Sequence, residues 1–128
     1  MSTSEPTEFD AWIAEEFGRR GDFTALVVLL AVDELKVTPL CSTYFAVIGT
    51  EIDWPEIVLL FAGAGMPWDG ATFFPVAGTD GRPLDNPTAR LKLRELESRL
   101  EEDRLVLNEG HFFNREGRRL LIEEVTLQ

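Results

Sequence analysis

Apolar residues fall at Phe9, Trp12, Ile13 and Phe17, with Glu8, Asp10, Glu15 and Glu16 off that stripe. Steps of three and four predict an amphipathic helix from about Pro6 to Gly18. Acids at its start and Arg19-Arg20 at its end suit the helix dipole. Gly21 breaks it, and residues 1 to 5 are expected to fray. A second stripe, Ala89, Leu93, Leu96 and Leu100, predicts a helix capped by Asn86 with Pro87 in its first turn. Glu95 stands four residues before Arg99, the favourable order for a surface pair.

Between these helices the pattern changes. From Ala25 to Val32 every residue is apolar, and periodicity cannot assign such a run. Thr24, Val27, Val28 and Val32 favour a buried strand. Asp22 as a cap, Ala25, the leucines and the length favour a helix over Phe23 to about Leu35, which is the reading adopted. Lys36 to Pro39 is expected to be extended or a turn. Ser42 to Thr50, with Tyr44, Phe45, Val47 and Ile48, predicts a strand. The segment GRRGDFTALVVLLA (18–31) locally resembles the opening helical pair of the NTF2-like (SnoaL-like) cone-shaped folds. Those folds continue as long curved strands, where this chain has a charged helix at 87 to 103, so the family is not adopted.

Residues 53 to 78, DWPEIVLLFAGAGMPWDGATFFPVAG, form the most apolar long stretch. Asp53 and Glu56 make a capping-box pattern, with Pro55 in the first turn. Trp54, Ile57, Phe61 and Ala64 then share one helical face, and Gly63, Gly65 and Pro67 end the helix. Ala71 to Ala77 predicts a short strand whose Pro75 argues for an edge. The rival reading, a dinucleotide loop starting at Gly63, fails because Trp68 occupies the place of the third glycine. The end of the chain reads as a three-stranded meander over Arg104–Asn108, His111–Asn114 and Arg118–Val125, with Gly-terminated turns.

Charge alters this picture. The formal net charge is −11. Residues 1 to 81 carry 13 acidic and 3 basic side chains, and no Lys or Arg occurs from Val37 to Gly81. Such a balance opposes nucleic acid and anionic membranes and suits a basic protein partner. No apolar run approaches a membrane span, and the acidic N-terminus does not read as a secretory signal. A lone cysteine fits a reducing, cytoplasmic setting.

Candidate chemistry is sparse. Cys41 and His111 are the one thiol–imidazole combination, and Glu109 is placed to orient the imidazole. Standard zinc and calcium ligand sets are missing, and no cofactor is expected. Glu51, Asp53 and Glu56 offer a carboxylate cluster, although capping already accounts for Asp53 and Glu56. Trp68 either folds down as a lid on the core or, with Met66, Asp69, Phe73 and Phe74, makes a contact surface.

The resulting expectation is one α+β domain, three or four helices packed on an antiparallel sheet of four or five strands, ending in the meander. Its expected role is a cytosolic, non-enzymatic interaction domain, an adaptor or neutralising partner that meets a basic protein through its acidic front portion. The alternative is a small-molecule binder or enzyme with a pocket beside residues 63 to 70. A homo-oligomer is compatible with either.

Overall fold

The strand at the centre of the molecule is the segment expected to be a helix. In the computed structural model, which describes residues 7–33, 37–49, 52–78 and 81–119, Phe23–Val32 is strand β1. It pairs antiparallel with β2 (Val37–Val47) on one side and β3 (Gly70–Val76) on the other. The fourth strand, β4 (His111–Asn114), pairs antiparallel with β3, giving the order β2-β1-β3-β4. Among the described residues, three α-helices accompany this sheet: α1 (Glu8–Arg20), α2 (Trp54–Ala62) and α3 (Asn86–Glu102). The class is α+β, and among the described residues no helix is long and apolar enough to cross a membrane.

The correction at β1 has a direct cause. Both of its faces are covered, so every position from Phe23 to Leu30 is buried. Phe23, Ala25, Val27 and Leu29 enter one core with α1 and α2; Leu26, Val28 and Leu30 enter a second core with α3. A strand buried on both faces has no polar alternation to display. Asp22 is not a helix cap. Its Oδ1 accepts the Gly49 N–H at 2.9 Å and ties the two ends of the β1–β2 hairpin together.

On the first face, α1 begins at Thr7, which forms a capping box with Asp10. Phe9 and Trp12 of α1 meet Trp54 of α2 and Phe73 and Phe113 of the sheet in an aromatic cluster. Helix α2 starts at Asp53, whose Oδ1 accepts the Glu56 N–H at 3.1 Å. It buries Trp54, Ile57 and Phe61, whereas Ala64 lies exposed in the following turn.

On the second face, Ala89, Leu96 and Leu100 of α3 are buried against the sheet, with Leu93 packed beside them. Asp85, and not Asn86, caps α3 by accepting the Thr88 N–H at 2.8 Å. Hydrogen bonding to the Thr88 side chain first, and to its backbone N–H second, holds the Asp85 carboxyl below its usual range. Arg99 does not pair with Glu95: it makes two 2.9 Å contacts with Glu109, while Glu95 lies 3.7 Å from Lys92.

One strand assignment is also corrected. Arg104–Glu109 is a 3-10 helix, in which the consecutive residues Val106 and Leu107 are both buried. Asp103 starts it by accepting the Leu105 N–H at 3.0 Å. Of the last predicted strand, Arg119 bridges to Phe113, and residues 120 to 125 lie outside the described residues. Strand β3 is interior from Gly70 to Phe73 but extends past β4 from Phe74 to Val76. Among the described residues, Pro75 therefore sits where the strand has a partner on one side only, as a missing donor requires.

Candidate functional site

The five residues proposed as a contact surface do not form one. The chain after α2 is clamped to the end of β1: the Asp69 N–H donates to the Leu30 carbonyl at 2.7 Å, and Asp69 Oδ2 accepts the Val32 N–H at 2.8 Å. The adjoining Trp68 is only 3% exposed, edge-on to Phe61 at 5.2 Å between ring centres. The guanidinium of Arg115 covers its other side, 5.3 Å from the ring centre. Trp68 is thus a lid on the core. Phe73 belongs to the same core, whereas Phe74 lies on the opposite face of the sheet. Met66 and Asp69 remain exposed, as do Leu59 and Leu60 of α2.

Cys41 and His111 are not brought together. They stand on the two outermost of the four strands, β2 and β4, three inter-strand spacings apart, or roughly 14 Å. His111 packs its ring on Trp12, with centroids 4.9 Å apart, and its Nδ1 lies 3.0 Å from Arg119 Nη1. Burial, then the nearby Arg119 charge, pushes its pKa down. Glu109 is engaged by Arg99 and not by the imidazole. Glu51 lies outside the described residues. Among the described residues no cluster of three or more His, Cys, Asp or Glu side chains is placed to hold a metal.

Many carboxylates of the front portion have local partners. Asp10, Asp22, Asp53 and Asp69 each accept backbone N–H groups at junctions between elements. Glu16, 2% exposed, receives Arg20 Nε at 2.6 Å, and Glu8 accepts the Arg119 N–H at 2.8 Å. Arg119 of the rear portion thus stands beside Glu8 of α1.

A different feature stands out at the far edge of the sheet. Strand β2 is eleven residues long, VTPLCSTYFAV, without a charged side chain, and among the described residues it pairs only with β1. Leu29 opposes Cys41 and Leu30 opposes Pro39, so Leu40 is an extra residue in a bulge. Beyond that bulge, Cys41 to Val47 runs in continuous register. Natural edges are usually blunted by charge, proline or a covering element; in this strand Pro39 and its bulge protect one end alone.

Beside the edge runs a groove of about 480 Å³, floored by Val28 and Leu100. One wall is Pro39 to Ser42, and the other carries Glu97 and Glu101 of α3. Ser42 Oγ donates to Glu97 Oε2, which joins the walls. Neither glutamate has an ion-pair partner among the described residues. Cys41 itself is half-buried against the α1/α2 core on the opposite face of the sheet, and burial pushes its thiol pKa up. The sequence signal for this edge was the run without Lys or Arg that starts at Val37; its outer position depended on topology. No protein-family model matches the chain, and neither a curated protein nor a solved structure matches it.

Proposed function

We propose that this chain is a cytosolic, non-enzymatic protein-recognition domain that accepts an extended segment of a partner at the outer edge of β2. The carrying observation is the uncharged edge from Cys41 to Val47, in regular register and without a covering element among the described residues. Such an edge presents alternate N–H and C=O groups to a further strand, which supplies affinity through the main chain. Side-chain pockets beside the edge then give selectivity. Each new main-chain bond contributes about 0.5–1.5 kcal/mol net, so a six-residue addition suffices for a reversible complex.

The alternative of a small-molecule pocket beside residues 63 to 70 has weaker support, because Trp68, its intended lining, is packed against Phe61. Thiol–imidazole catalysis is disfavoured by the separation of Cys41 from His111.

Panning a random decapeptide library against the full chain tests the proposal, with hydrogen exchange of the recovered complexes as the readout. Binding at the edge slows exchange at alternate amides between Cys41 and Val47. Recovery of no binder, or of peptides that protect only residues Leu59 to Met66, overturns it.

A further inference from the structure

Resting on the strand-addition reading, we infer that the segment received at β2 is cationic on its α3-facing side: an extended peptide that alternates Lys or Arg with uncharged residues. The argument starts from strand geometry. Ser42 and Tyr44 point toward α3, as their contacts with Glu97 and Asn86 record, whereas Phe45 packs in the core on the α1/α2 face. A strand added about 4.8 Å beyond β2 continues that alternation, and every second side chain comes to lie on the α3 side.

There it meets the wall that carries Glu97 and Glu101. These positions are one helical turn apart, so their carboxylates line the same side of α3. Both residues are exposed and have no ion-pair partner among the described residues. A Lys or Arg side chain reaches them while its stem lies over Leu100 and Pro39. An acidic segment meets repulsion at the same place and gains nothing from a chain of net charge −11. The other face of the added strand lies beside Thr43 and Phe45, which suits small or apolar residues.

A second copy of this chain is a poorer occupant. Across a twofold axis its β2 brings no cation to the groove, because β2 contains none, and it adds the repulsion of two acidic chains.

The test uses two fluorescent decapeptides, one alternating Val with Lys and one alternating Val with Glu, titrated against the full chain at low and high salt. Hydrogen exchange at Cys41 to Val47 locates the binding. The Lys peptide is expected to bind and protect the edge, and the double variant Glu97→Gln/Glu101→Gln to weaken it roughly tenfold. A charge-matched control, Glu15→Gln/Glu56→Gln, should change affinity less than twofold, which separates a local effect from net charge. Equal edge protection by both peptides, or equal losses in the two double variants, overturns the cationic preference while leaving strand addition standing. If neither peptide protects the edge, strand addition itself fails, and this inference fails with it. A dimer in light scattering whose β2 amides are protected without peptide assigns the edge to a second copy and overturns the inference.

Discussion

The Asp10 carboxylate accepts the backbone N–H of Trp54 at 3.0 Å through one oxygen and that of Thr7 at 2.8 Å through the other. A single side chain thereby closes the start of α1 and fastens it to the start of α2, 44 residues away.

Removing that carboxylate should be costly. Asp10→Ala leaves both N–H groups without their acceptor and is expected to lower stability by about 2–3 kcal/mol. Asp10→Asn retains one acceptor oxygen and should lose about half as much. Urea unfolding with an unchanged m-value is the check. A loss below about 0.5 kcal/mol would mean that the two bonds are replaced by water at no cost.

Trp68 and Met66 lie two residues apart but should behave differently. Trp68→Ala opens a hole beneath Arg115 and beside Phe61, expected to cost about 3–5 kcal/mol. Met66→Ala, at a 36% exposed position, should stay within about 0.5 kcal/mol. Thermal unfolding of the two variants decides the matter: similar midpoints would contradict the lid.

Thr72 is fully buried between Val28 and Phe112, and its hydroxyl oxygen makes no hydrogen bond among the described residues. A stranded hydroxyl gives up hydration without return. Thr72→Val keeps the shape and is expected to raise stability by about 1 kcal/mol. A decrease in the denaturation midpoint would show that the hydroxyl has a partner after all.

Cys41 should react slowly. Burial raises its pKa, and the thiolate is the nucleophile, so disulfide-exchange labelling at neutral pH should be slower than in the urea-unfolded chain. The rate should still be climbing above pH 9.0, the ordinary thiol midpoint. Stopped-flow labelling across pH is the measurement, and a plateau below that value would reverse the assignment.

His111 gives stability a dependence on acidity. Its folded pKa is lowered, first by burial and then by Arg119, so the unfolded chain takes up a proton there before the folded one does. The contribution is complete above the ordinary imidazole value of 6.5 and is lost as pH falls through that value toward the lower folded one. Arg119, Arg20 and Arg19 oppose the protonated form and Glu16 favours it. Denaturation midpoints should therefore drop as pH falls below 6.5, and His111→Gln should flatten that drop. An unchanged slope in the variant refutes the role.

The helices α1 and α3 were legible because each has one apolar stripe, an acceptor at its start and a polar remainder. The cap of α3 was placed to within a residue, with Asp85 standing in for Asn86. β1 was not legible, since an apolar run does not disclose whether one face or two will be covered. Arg104–Glu109 misled for a related reason: two adjacent buried residues, Val106 and Leu107, suit a tight helical turn as well as a strand. Cys41, His111 and Glu109 were identifiable as chemical types, yet the placement of Cys41 and His111 on opposite edge strands follows from strand order, and Glu109 ends the 3-10 helix. The β2 edge was half visible, its lack of charge readable and its outer position not.

An apolar strand with a core on either side has an unusual weakness. If β1 slid by one residue, hydrophobic side chains would still meet hydrophobic surroundings on both faces, so burial alone distinguishes poorly between the native alignment and its neighbours. The choice falls to two aspartates that grip the hairpin's extremities, Asp22 holding Gly49 and Asp69 holding Val32. Polar side chains outside the greasy centre therefore act as stops that set its alignment, and neutralising both should loosen where the strand sits before it loosens whether the chain folds.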